Sequence, residues 1–105
     1  MLRIYDVMLE VIRLMRPVVA QIEKHDRELG KQVRQAENSV VLNIAEGSGS
    51  KGGTRLERYR TALGSAKETK ACIDAAEAQG YVTHVDPKIH AGLREVIGTL
   101  VKVVR

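Results

Sequence analysis

Nine apolar side chains, Ile4, Val7, Met8, Val11, Ile12, Met15, Val18, Val19 and Ile22, recur along the first segment at helical spacing. Wound at 3.6 residues per turn they form a single stripe more than five turns long. A helix with one long apolar face needs other helices to cover it. Pro17 sits inside the stripe and removes one backbone hydrogen bond there. Because the phase continues past it, a bend is expected in place of a break. After the polar stretch His25-Asp26-Arg27-Glu28 and Gly30, the pattern resumes at Leu29, Val33, Ala36, Val40 and Ile44. Within this second run, residues Ser39 to Ala45 are apolar on nearly every side, which predicts burial all round. One copy of so small a chain offers too few neighbours for that. Val41 and Leu42 are therefore candidates for a contact between subunits.

The glycine-rich stretch Gly47 to Gly53 breaks the pattern, and Thr54-Arg55-Leu56-Glu57 has the form of a capping box, so a third helix is expected to start at Thr54. Its core stripe reads Leu56, Tyr59, Leu63, Ala66 and Ile73, interrupted by Lys70. Gly80 is placed to end it in a left-handed cap, with Tyr81 and Val82 folding back. Asp86-Pro87 supplies an N-cap and first helical residue for a fourth helix carrying Ile89, Leu93, Val96, Ile97, Leu100, Val103 and Val104. Only Tyr81-Val82-Thr83 hints weakly at a strand. With 105 residues there is room for one core. The expectation is a single all-α domain over residues 1–105, an antiparallel up-and-down four-helix bundle. Phe and Trp are absent and Tyr occurs three times, so that core must be aliphatic.

The chemistry-bearing residues are sparse. A lone cysteine excludes an internal disulfide and a thiolate cluster, and Cys72 in an alanine-rich segment reads as a small structural residue. His25, His84 and His90 lie apart without the spacing that puts two ligands on one helical face, so neither a metal nor a cofactor is expected. The glycine-rich stretch is a poor phosphate loop, because Lys51 precedes Gly52-Gly53-Thr54 and a helix leads into it. No catalytic residue is assigned and no enzymatic activity is expected. Acids interrupt the first apolar run and no stretch approaches a membrane span, which makes the cytoplasm the expected location.

Charge is more informative. Seventeen Lys and Arg against thirteen Asp and Glu give +4, and the second half holds the whole excess. Lys51, Arg55, Arg58, Arg60, Lys67 and Lys70 fall in a stretch with only Glu57 and Glu68 as acids. On a helix, Lys51, Arg55 and Arg58 follow one flank of the core stripe, with Arg60 and Lys67 on the other. These five are the candidate nucleic-acid contacts. The plainer alternative is that their aliphatic stems lie over the edge of the apolar stripe, since no aromatics are interleaved for base stacking. Opposite the core stripe, Gly64, Ala71, Ala75 and Ala78 form a row of small side chains that would let another helix approach closely. Alanine is equally a good helix former.

The run Arg34-Gln-Ala-Glu-Asn-Ser-Val-Val-Leu-Asn-Ile-Ala-Glu-Gly47, followed by Arg55-Leu56, Ala62-Leu-Gly-Ser-Ala-Lys-Glu68 and Gly80-Tyr81, resembles the four-helix-bundle family named after proteins encoded in intervening sequences of bacterial 23S ribosomal RNA genes. The resemblance implies an up-and-down bundle assembling into a ring-like homo-oligomer, often a pentamer, without established enzymatic activity. It extends to the accessory variability proteins of diversity-generating retroelements, which implies RNA or DNA and a reverse transcriptase as possible partners. Glu46 and Glu68 match the family's recurring acids and read as structural, pairing with basic neighbours such as Arg34 or Arg55. Arg58 and Thr61, where many relatives place Phe and Ile, and Pro17 depart from the pattern and bear on the packing of the third helix. Two readings follow: a non-enzymatic oligomeric scaffold that engages RNA or DNA through the basic patch, or an adaptor that docks a protein partner on the small-residue face.

Overall fold

A computed structural model describes residues 2–105. Four helices run in the order α1 (Arg3–His25), α2 (Arg27–Ser48), α3 (Gly52–Ala78) and α4 (Pro87–Val104). Each packs on its neighbour in sequence, and α4 returns against α1, closing a square bundle 42 × 24 × 20 Å. Cross-helix partners give the directions. Glu23 meets Arg34, whereas Arg16 and Val19 share a slot with Glu37; Ser39 meets Ser65, whereas Glu46 meets Arg58. As one residue number rises its partner's falls, so neighbouring helices are antiparallel.

The core follows the apolar stripes. Ile4, Met8, Val11, Met15, Val18, Val19 and Ile22 are buried on α1, as are Val33, Ala36, Val40 and Ile44 on α2, and Ile89, Leu93, Val96 and Leu100 on α4. α1 runs unbroken through Pro17, whose missing donor lies on the exposed face. The first corner is tighter than the polar stretch suggests. Asp26 alone separates α1 from α2, and its Oδ1 accepts from the Leu29 amide at 2.9 Å, satisfying an orphan donor of the second helix.

α3 departs from its expected stripe. Its buried residues are Tyr59, Ala62, Ala66, Thr69, Cys72, Ile73 and Ala76, while Leu56 and Leu63 are only half-buried at the edge. The helix turns its small residues inward, and alanines with no exposed surface let α2 come close. α3 also begins at Gly52, two residues before Thr54, with Lys51 at the N-cap and no side-chain cap bond, so the capping box does not form. At the far end the left-handed cap is present. Gly80 has φ +75°, the Tyr81 amide donates to Ala76 O at 2.9 Å and the Gly80 amide to Glu77 O at 3.1 Å. Tyr81-Val82-Thr83 forms no strand; Tyr81 stacks on His25 with ring centroids 5.2 Å apart. Asp86 caps α4 through the Lys88 amide at 2.9 Å, with Pro87 as first helical residue. Among the described residues no helix is long and apolar enough to cross a membrane.

Candidate functional site

The Asn43-Ile44-Ala45-Glu46-Gly47 element lies along the seam between α2 and α3. Asn43 Nδ2 donates to Ser39 O at 2.9 Å and to Ser39 Oγ at 3.2 Å, and the Ser39 hydroxyl meets the Ser65 hydroxyl at 2.7 Å. Ser65 belongs to the Gly64-Ser65-Ala66-Lys67-Glu68 element, so the two motifs meet through a pair of hydroxyls. Ile44 fills the core beside them. Gly47 is covered by the ring of Tyr59, and the Tyr59 hydroxyl reaches Ser48 Oγ at 3.3 Å. These motif residues join α2 to α3.

The five basic candidates separate by occupation. Arg55 Nε donates to Gly47 O at 3.1 Å and Ser50 O at 2.8 Å, so its guanidinium caps the C-terminal end of α2. Arg58 Nε pairs with Glu46 Oε2 at 3.1 Å, and Arg60 lies 3.7 Å from Glu57. Lys51 and Lys67 remain exposed without an acidic partner among the described residues. Lys51 stands at the N-cap of α3 and Lys67 lies on the helix sixteen residues further on, roughly 24 Å away at the helical rise. Glu46 thus pairs with Arg58 and not with Arg34 or Arg55, because Arg34 is held by Glu23 at 2.7 Å and Arg55 by backbone carbonyls. Arg58 and Thr61 both point outward, the latter donating to Glu57 O at 3.1 Å, so neither departure disturbs the packing of α3.

Burial all round for residues 39–45 is not met within one chain. Val40 and Ile44 are buried and Val41 is half-buried, but Leu42 stands 60% exposed, the most exposed large apolar side chain among the described residues. Helical geometry leaves it opposite the buried face of α2. Gly64, Ala71 and Ala78 are exposed and Ala75 half-buried, the outward face of α3 as the spacing predicts. Beyond its chain neighbours and the adjacent backbone of α3 itself, no atom approaches within 4 Å of where a Gly64 Cβ would stand.

Three further features carry titratable groups. Asp74 and Glu77 on α3 gather with His90 on α4, their ligand atoms within 4.8 Å of one another, with His90 Nε2 3.3 Å from Glu77 Oε1. A search for paired histidines on one helix misses this cluster, because its third member comes from the next helix. The Lys70 ammonium already sits 2.8 Å from Asp74, so a resident cation serves that carboxylate. Cys72 is buried, and burial together with the Glu68 charge pushes its thiol up, which suits a structural role. Among the described residues Glu37 is the one carboxylate with little access to solvent, and its Oε2 has no hydrogen-bond partner there. Burial pushes its carboxyl up to about 7, against the opposing pull of Arg34.

No curated protein matches the sequence. Among solved structures, a protein of unknown function from the S23 ribosomal protein family of Bacteroides thetaiotaomicron superposes with a TM-score of 0.78 at 18% identity, covering 97% of this chain and 98% of that one. At that identity the likeness speaks for the fold. The family model described as 23S rRNA-intervening sequence protein matches residues 2–102, nearly the whole chain. The chain, with its two motifs locked together across the α2–α3 seam, belongs to the 23S rRNA-intervening sequence protein family.

Proposed function

We propose that the protein is a non-enzymatic subunit of a ring-like homo-oligomer, joined through Val41 and Leu42 on α2 and the Gly64, Ala71, Ala75 and Ala78 row on α3. The observation that carries this reading is Leu42, a leucine 60% exposed in a run, Ser39 to Ala45, whose other members are buried or half-buried. Burying one leucine fully is worth about 1.5–3 kcal/mol, a strong reason for a second surface to cover it. The row on α3 supports the same reading, since small side chains let a partner helix approach without a clash. Its other supports are chemical. Glu46 is spent on Arg58, and the Cys72 thiol is buried.

Replacing Leu42 by Glu tests the assembly. Sedimentation velocity at micromolar concentration is expected to give a multimer for the wild type and a smaller species for Leu42→Glu, with helicity unchanged because the side chain makes no core contact. A well-folded wild-type monomer under those conditions overturns the reading.

A second reading, contact with RNA or DNA, rests on Lys51 and Lys67, which are free of acidic partners among the described residues. Repeated around a ring, two weak cations per subunit would act together. A reverse transcriptase or another protein partner would then dock on the assembled ring.

A further inference from the structure

Glu37 lies on the edge of the α2 stripe that faces α1, in a slot of about 270 Å³ bounded by Arg16, Val19 and Arg34. Only 7% of the residue is exposed, and Oε2 is sealed from solvent without a donor. An ionised carboxylate in such a place is costly until a cation or a donor reaches it. Two guanidinium groups border the slot. Arg34, on α2, is engaged by Glu23 of α1 at 2.7 Å. Arg16, on α1, is exposed and pairs with no acid among the described residues. No ionisable side chain of α3 or α4 lines the slot.

We propose that Glu37 is a proton-operated latch between α1 and α2: with its carboxyl neutral it seals into the seam, and on losing the proton it draws the Arg16 guanidinium in from solvent and repacks that seam. The direction follows from the two environments. The neutral acid carries no net charge and tolerates the apolar wall of Val19 at a smaller desolvation cost, whereas the carboxylate demands a charge-assisted bond. Arg16 is the available source, because taking Arg34 would strip Glu23 of its partner. The upward displacement of the Glu37 carboxyl toward neutrality agrees with this geometry and places the change near physiological pH. The latch acts within one chain and stands apart from the oligomer reading.

The test follows the Glu37 carboxyl carbon by NMR from pH 4 to 9, together with thermal denaturation of wild type, Glu37→Gln and Arg16→Gln. A folded pKa above the unfolded one means that Glu37 stabilises the fold most at low pH and loses that contribution as pH rises toward neutrality. The wild-type melting temperature is therefore expected to fall relative to Glu37→Gln by several degrees between about pH 4.5 and 7. Arg16→Gln removes the recruited cation, so the Glu37 midpoint is expected to rise further and the melting temperature to fall more steeply. Titration of Glu37 in the ordinary carboxylate range overturns the proposal. A Glu37 midpoint unchanged by Arg16→Gln overturns the recruitment of Arg16.

Discussion

A methyl group at Gly47 would stand 2.5 Å from Cε1 and 2.8 Å from Cδ1 of Tyr59, inside the contact distance of any carbon pair. The ring is 5% exposed and tied by its hydroxyl to Ser48, so it has little room to retreat. Gly47→Ala is expected to cost about 1–3 kcal/mol, the usual range for overpacking, read as a lower midpoint in urea. Gly64 gives the opposite case. Nothing lies within 4 Å of its added Cβ, and exchanging a mid-helix glycine for alanine favours the helix by about 1 kcal/mol. Gly64→Ala is expected to raise the melting temperature of the fold while loosening the proposed subunit contact, which thermal denaturation and sedimentation read separately. Why the family motif ends in glycine is thus a matter of sterics. That reason is absent from the sequence, since Tyr59 lies twelve positions away and meets Gly47 only after α2 and α3 pair.

At the scale of helices, the corners are where single residues decide. Asp26 is the whole connection between α1 and α2 and the cap of the second helix, and Asp86 caps the fourth. Asp86→Ala is expected to cost about 1 kcal/mol, the ordinary loss for an N-cap, with the α4 amides showing the largest gain in hydrogen exchange. Three of the four helices were legible in the sequence because their buried faces carry Ile, Val, Leu and Met, which stand out from polar neighbours. α3 was legible as a helix and in part of its facing: Tyr59, Ala66 and Ile73 are buried as expected, but Leu56 and Leu63 lie at the edge. Ala62, Thr69, Cys72 and Ala76 carry its interior, and small side chains look the same whether they are buried or exposed. The capping box at Thr54 failed for a related reason. Gly52, at φ +58°, turns the chain early enough for the helix to start ahead of the threonine. Glu37 left no signal at all, as a glutamate on a helix reads as solvated until α1 closes over it.

Across the whole molecule, the basic excess is divided between structure and surface. Arg55 holds the end of α2, and Arg58 and Arg60 answer acids on α2 and α3. Substituting them would confuse loss of a phosphate contact with loss of fold, as Arg55→Glu would place a carboxylate against two backbone carbonyls. Lys51 and Lys67 have no such duty. Exposed lysines contribute little to stability, so reversing both should leave the melting temperature almost unchanged. If the oligomer meets RNA or DNA along α3, the double variant Lys51→Glu, Lys67→Glu is expected to lose polynucleotide retention at low salt. The wild type should lose it progressively as salt rises, because each neutralised phosphate releases a counterion. Two lysines per subunit give a shallow salt dependence for one chain and a steep one for a ring, since the slope follows the number of phosphates met at once. Measuring that slope for the wild type and for Leu42→Glu joins the two readings. A slope that shrinks with the assembly places the binding on the ring, whereas equal retention by the wild type and the double lysine variant removes nucleic acid from the α3 surface.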